Sequence, residues 1–223
     1  MDFAMKKQDF SNQIIDIMKR LDSMTYNHSV RVMMISAEIE EYLGMTDHQL
    51  MYASILHDIG KIGIPEEILN KPGKFTKEEY EIMKEHTVIG EKMLKNLELY
   101  QDEPLVKTAC EIVRWHHERY DGKGYPDGLK GDKIPISAQI VSIADVYDEL
   151  VSERVYKKAF SHEKAMEMIL NGECGAFNPL LLECLVEIQD RIKTELDGSG
   201  SVKKETYKKT IQEIERDMNI NTL

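Results

Sequence analysis

The residues that could do chemistry are histidines and a few aspartates. The chain has seven histidines, His28, His48, His57, His86, His116, His117 and His162. A lone histidine on a helix is ordinarily a surface or satisfied core residue. The grouping changes that reading. His57 and Asp58 are adjacent and follow the apolar stretch Ala53-Ser54-Ile55-Leu56. His116 and His117 are adjacent and follow Ile112-Val113-Arg114-Trp115, while Asp145 interrupts the run that begins Ile140-Val141-Ser142-Ile143-Ala144. Each is an ionisable group on an otherwise apolar helical stretch. An unpaired buried carboxylate is costly, so such a group pairs or holds a metal. Adjacent helical residues project about 100° apart, so two adjacent ligands can straddle one ion or serve two. Carboxylates bridge two ions and imidazoles do not. An aspartate among several histidines is what a two-metal hydrolytic centre requires. Simple pairing of Asp58 and Asp145 with buried histidines stands beside that reading on these residues alone.

The elements that must position these residues read as nearly all helix. Apolar residues recur at helical spacing over 9–21, with Ile14, Ile15, Met18 and Leu21, and again from His28 to Leu43 before Gly44. A short apolar helix over 47–57 is broken by Gly60, Gly63 and Pro65. Thr76, three residues before Glu79, has the spacing of a capping box opening a helix to about Leu97. Further helices are expected from Pro104 to near His117, from Ile136 to Leu150, after Ser161, and from Pro179 to about Leu196. A long glycine-rich loop, Tyr120 to Pro135, lies between the second pair of histidines and Asp145. Alternating β-branched runs are few, so a sheet is not expected.

Composition narrows the partners. A net charge of −11, from 29 basic and 40 acidic residues, argues against a long nucleic acid. A small anionic ligand remains compatible, because a local metal or lysine cluster outweighs the overall field. The three cysteines, Cys110, Cys174 and Cys184, form no CxxC pair and read as reduced thiols. No apolar run reaches the roughly 18 residues of a membrane span, and the opening MDFAMKKQDF has no signal-peptide core. A cytoplasmic protein away from the membrane is therefore expected. A three-part organisation is expected as well: an N-terminal helical extension over 1–20, a catalytic domain over 21–196, and a linker and helical tail over 197–223.

Taken in order, the motifs resemble the HD superfamily of metal-dependent phosphohydrolases, whose signature is H…HD…D: here His28, His57-Asp58 and Asp145. They resemble more narrowly the HD-GYP family of bacterial cyclic di-GMP phosphodiesterases. The matching segments are Asp22-x-x-Thr25-x-x-His28-Ser29, His57 through Pro65, His86-x-x-x-Gly90 and HHERYDGKGYPDGL from His116 through Leu129. Ala144-Asp145-x-Tyr147-Asp148 and Arg154-x-Tyr156-Lys157 complete the series, which covers about residues 20–186. The resemblance implies an all-α HD-domain helical bundle with a long glycine-rich GYP loop. It implies one metal on His28, His57, Asp58 and Asp145, and a second on His86, His116 and His117, with Asp58 bridging. Lys61 would assist catalysis at a phosphate, Arg154 and Lys157 would hold phosphate oxygens, and Tyr125 would be a base contact or a loop anchor.

The expected reaction is hydrolysis of cyclic di-GMP to linear pGpG, with a slower second cut to GMP. Imidazole and carboxylate donors suit iron, manganese, zinc or cobalt alike; the resemblance implies two divalent ions, iron or manganese first, with zinc, cobalt or nickel as substitutes. Family members with a third metal carry a glutamate four residues before the first histidine. Here that residue is Met24, so two metals are expected rather than three. Other departures are Val155 within Arg-Val-Tyr-Lys and Asn178 in Phe-Asn-Pro, neither of which removes a proposed metal ligand. His48 and His162 match nothing and read as surface residues. The alternatives are a phosphodiesterase for another cyclic dinucleotide, such as cyclic GMP-AMP, and a catalytically weak binding module. A homo-oligomer or a regulatory protein partner is compatible with the sequence. A leading sensory or receiver domain is not expected, since about 20 residues precede the match. Deleting the tail is expected to leave turnover within a few-fold.

Overall fold

The structure is a computed structural model of the 223-residue chain, and it describes residues 18, 20–45, 49–97, 103–153 and 158–199. The described residues are helical and contain no strand. Helix α1 spans Ser23–Tyr42 and starts earlier than the apolar pattern suggests, because Asp22 caps it. The Asp22 carboxylate accepts from the amides of Met24 and Thr25 at 2.9 and 3.0 Å, satisfying two of the first turn's free donors. This places His28 in the second turn, facing inward.

The segment after α2 (Gln49–Ser54) does not continue as α-helix. The amides of Leu56, His57 and Ile59 bond to carbonyls three residues back, and a 3-10 helix, Ile59–Gly63, follows. His57 and Asp58 therefore sit in tight turns rather than on the expected α-helix. With Gly60 and Gly63 beyond them, the chain takes the tighter winding. A short α3 (Glu66–Leu69) leads to α4 (Lys77–Lys84), where Thr76 and Glu79 form the expected capping box. The helix expected to run on to Leu97 is instead two, since α5 (His86–Lys95) begins after a break at Glu85. His86 is thereby the first residue of α5.

Helix α6 (Pro104–Trp115) ends one residue before the second histidine pair, with His116 as its C-cap. After the loop and a 3-10 turn at Gly131–Lys133 comes α7 (Ile136–Val151), which buries all but Ile136, Glu149 and Val151. A helix apolar on every side belongs in the centre, and α7 packs against α1, α6 and α8 (His162–Leu170). Helix α9 (Pro179–Ser199) lies against α1 and carries helical backbone three residues past the expected end. Core residues Val32, Ile35, Ile112, Ile140, Ile143 and Leu185 are each at most 1% exposed. Met18, in the expected N-terminal extension, is buried in the same core.

Candidate metal centre

The site lies where five pieces of chain converge: α1, the turn before the 3-10 helix, the start of α5, the end of α6, and α7. Two glycines bring α5 in. A Cβ on Gly60 would collide with the His86 carbonyl oxygen, and one on Gly90 would press into Val113. The backbones of the 3-10 helix and α5 therefore touch, and His86 arrives beside Asp58.

Asp58 is 1% exposed and divides its two oxygens between two groups of imidazoles. Its Oδ2 lies 3.3 Å from His57 Nε2 and 3.8 Å from His28 Nε2. Its Oδ1 lies 3.4 Å from His86 Nε2 and 4.0 Å from His116 Nε2. Asp145 approaches from α7, with Oδ1 at 3.0 Å from His28 Nε2 and Oδ2 at 4.0 Å from His117 Nδ1. All seven residues expected as metal ligands are thus brought together.

Backbone carbonyls fix the tautomers. His57 Nδ1 donates to the Ser54 carbonyl at 2.9 Å and His86 Nδ1 to that of Met83 at 2.6 Å. His116 Nδ1 donates to the carbonyls of Ile112 and Val113 at 2.9 and 3.1 Å. A carbonyl only accepts, so each Nδ1 carries a proton and each Nε2, the lone-pair nitrogen of a neutral ring, points inward. His57 Nε2 comes to 3.3 Å of His28 Nε2, and His86 Nε2 to 3.4 Å of His116 Nε2. The buried Asp58 Oδ1 has no hydrogen-bond partner. Converging lone pairs around an unsatisfied carboxylate oxygen fit cations, and the donor atoms fall into two sets, one of Asp58, His86, His116 and His117, the other of His28, His57 and Asp58.

Electrostatics agree. Burial and the neighbouring imidazoles push His116 down to about 3. Burial likewise lowers His86, and burial with His116 holds His117 well below its ordinary value. These rings are neutral, as ligands must be. Burial opposes ionisation of Asp58, yet Lys61 and the imidazoles hold its carboxyl well below the usual range. Asp145 is held low in the same way against burial, mainly by His28. His28 is the exception. Burial works against its charge, but Asp145 on one nitrogen and Asp148 on the other raise it to about 10.

Two residues that the sequence motifs include, but to which no role was given, support the site. Asp148, fully buried, accepts from His28 Nδ1 at 2.7 Å and from Arg31 Nε at 2.6 Å. The signal was available, since Asp145 and Asp148 are three apart and share a helix face. Glu118 is 2% exposed and accepts three consecutive amides, Asp127 at 2.8 Å, Gly128 at 2.9 Å and Leu129 at 3.0 Å. It ties the glycine-rich loop down, and Asp127 in turn accepts from Arg114 and Trp115. Gly124 completes the fit, because a Cβ there would strike Glu118 and the His117 carbonyl. Tyr125 is thereby stacked on His117 with ring centres 4.7 Å apart and planes 25° apart.

Lys61 donates to Asp58 Oδ2 at 2.5 Å and lines a cleft of about 400 Å³ over the cluster, together with Asp22, Met24, His117, Arg119 and Tyr125. Arg154, Lys157 and His48 lie outside the described residues, as do the tail beyond Ser199 and residues 9–17 and 19 of the helix expected over 9–21. His162 is not a plain surface residue: it is half-buried and pairs with the Tyr147 hydroxyl at 2.6 Å.

The fold and the cluster define a helical protein built around a histidine–aspartate centre, and comparison places it. The family model described as HD domain matches residues 12–175, a span containing every motif segment from Asp22 to Lys157. The chain belongs to that family. It is 39% identical over 198 residues to a cyclic di-GMP phosphodiesterase of Thermotoga maritima, covering 86% of this chain and 53% of that protein. A 3'3'-cGAMP-specific phosphodiesterase 2 of Vibrio cholerae is 34% identical over 196 residues, covering 80% of this chain and 37% of the relative. The chain thus spans about half the length of the first relative and less of the second. The solved structure of Bd1817, an HDG"Y"P protein from Bdellovibrio bacteriovorus, shares the fold at a TM-score of 0.61 and 20% identity, over 85% of this chain and 62% of that one.

Proposed function

We propose that the chain is a metal-dependent phosphodiesterase that opens cyclic di-GMP to linear pGpG, with GMP from a second cut. The observation that carries this reading is Asp58, whose two oxygens face two separate sets of inward imidazole nitrogens. The Thermotoga relative supports the choice of cyclic di-GMP, and the Vibrio relative supports cyclic GMP-AMP as a second reading.

His28, His57, Asp58 and Asp145 would hold one divalent cation, and His86, His116 and His117, with Asp58 between, the other. Bound there, such a pair supplies Lewis acidity toward phosphoryl oxygens and acidifies a water near neutral pH. Nitrogen and carboxylate donors suit iron or manganese, with zinc, cobalt or nickel able to compete. At position 24 the methionine is 46% exposed beside the cleft and offers no carboxylate, which supports two ions over three.

The chain's own groups do the remaining work. Lys61 keeps its ammonium charged beside Asp58, because that carboxylate outweighs the cost of burial. Its place in the cleft lets the ammonium neutralise a phosphoryl oxygen as charge builds. Carbonyl-bound Nδ1 atoms keep three imidazoles from rotating. Tyr125 walls the cleft beside His117. Arg154 and Lys157 are assigned to phosphate oxygens from the motif alone.

The test is an assay of the metal-loaded full chain with cyclic di-GMP, cyclic GMP-AMP and cyclic di-AMP. Cyclic di-GMP should be cut fastest. Replacing Asp58 with Ala should abolish turnover and lower the content from about two metals per chain. Lys61→Ala should keep its metals and lose roughly ten- to a hundredfold in turnover or affinity, as for a charge-assisted contact. Failure of the loaded protein to cut any cyclic dinucleotide would leave only a binding module.

A further inference from the structure

One wall of the cleft is not used by the metal chemistry. Helix α4 buries none of its residues, yet its Tyr80 turns into the cleft beside Phe75 and Met83. The residue is 46% exposed. Its ring meets that of Tyr125 edge to face, with centres 6.2 Å apart and planes at 81°. Lys84, four residues on and hence on the same face of α4, holds its Nζ 5.5 Å from the Tyr80 ring centre and 5.7 Å from that of Tyr125. Its ion pair is with Glu81 at 2.7 Å, a carboxylate left 58% exposed. Two rings set edge to face and an ammonium shared with the exposed Glu81 carboxylate thus form a half-wetted corner, with one face of Tyr80 open to the cleft.

Such a corner suits a nucleobase. Stacking on an aromatic side chain serves any base, since every base has a π-face. The ammonium discriminates among them. Guanine offers O6 and N7 as neighbouring acceptors, whereas adenine sets an amino donor beside N7. Position agrees as well. Tyr125 stacks on His117, and Tyr80 stands one ring further out. A nucleotide whose phosphate lay between His117 and Lys61 would carry its base about a sugar's width away, and Tyr80 lines the same cleft.

We propose that Tyr80 and Lys84 form a guanine subsite, in which one base of the cyclic dinucleotide stacks on Tyr80 while the Lys84 ammonium donates to O6 and N7. The assignment rests on the cyclic-dinucleotide reading above and extends it from phosphate chemistry to the choice of base.

The test measures binding of cyclic di-GMP and cyclic di-AMP to the full-length, chelator-treated chain by isothermal titration, so that no turnover is needed. Tyr80→Ala should weaken cyclic di-GMP by roughly five- to a hundredfold, the range for losing one base–aromatic stack. Tyr80→Phe should stay within a few-fold of the parent, because the ring remains. Lys84→Met should weaken cyclic di-GMP more than cyclic di-AMP, lowering the preference by roughly five- to a hundredfold. Circular dichroism melting confirms that each variant folds. The subsite is overturned if Tyr80→Ala binds within twofold of the parent, if Lys84→Met leaves the preference unchanged, or if the parent binds neither ligand. Turnover by the metal-loaded parent is a separate arm. Its absence with the binding pattern intact overturns the phosphodiesterase reading and leaves the subsite standing; turnover with a flat Tyr80 response does the reverse.

Discussion

At the scale of single residues, His28 differs from the other imidazoles. Three of them, His57, His86 and His116, meet backbone carbonyls at Nδ1 and turn Nε2 inward. His28 meets a carboxylate at each nitrogen, Asp148 at 2.7 Å and Asp145 at 3.0 Å. Despite its burial, that pair raises it to about 10, so without metal the ring is an imidazolium at neutral pH. A metal on that side must expel the proton. The sign follows: below about 10 the proton competes, and raising the pH removes the competitor. His86, His116 and His117 are already neutral and add little above pH 6.5. We expect apparent metal affinity to rise about tenfold per pH unit between pH 6.5 and 8.5, the slope for one displaced proton. Metal titrations at three pH values, with proton release read from calorimetry in buffers of different ionisation enthalpy, check this. A flat profile would remove His28 from the ligand set.

At the scale of elements, the centre depends on backbone contacts. Gly60 and Gly90 let the 3-10 helix and α5 touch, and this contact sets His86 beside Asp58. Gly60→Ala should push α5 away, costing about 1–3 kcal/mol of stability as overpacking does, and should lower metal occupancy. Thermal melting and elemental analysis measure the two effects. Glu118 acts similarly on the loop. Glu118→Gln replaces one accepting oxygen by an amide donor facing backbone N–H groups, so the loop should loosen and Tyr125 leave His117. The chain's single tryptophan, Trp115, donates to Asp127 on that loop at 2.7 Å, so its emission reports the release. An unchanged spectrum would deny Glu118 that role. These contacts also mark what the sequence could and could not disclose. The histidine and aspartate pairs were legible because ionisable groups interrupt apolar runs. Capping at Thr76 was legible from its spacing to Glu79. Glu118 was not, because its partners are backbone amides, which leave no trace in side-chain identity. His162 was misread because its partner, Tyr147, comes from a different helix. The break at Glu85 was hidden because helical periodicity runs through it from Thr76 to Leu97.

At the scale of the whole molecule, the proposed ligands bind separate parts of the fold to one another. His28 comes from α1, His57 and Asp58 from the turn after α2, His86 from α5, His116 and His117 from the end of α6, and Asp145 from α7. Without cations the buried interior holds the opposed Nε2 lone pairs of His86 and His116 3.4 Å apart and an unsatisfied carboxylate oxygen. In a low-dielectric interior such unpaired groups are costly. Metal binding relieves that cost in the folded state alone, because no preformed site survives unfolding. Free metal at a hundredfold over its dissociation constant then adds about 2.7 kcal/mol. For a chain of this size that raises the melting temperature by roughly 5–10 °C. The rise should come as a shift of one cooperative transition, since the ligands join α1, α5, α6 and α7 rather than one local loop. Differential scanning calorimetry of the chelated and manganese-loaded full chain measures it. Asp58→Ala, which takes the shared carboxylate from both sets of imidazoles, should melt at the same temperature with and without manganese. If chelation leaves the parent's transition in place while metal is demonstrably bound, the ions lie outside the core, and the five converging elements are held by packing alone.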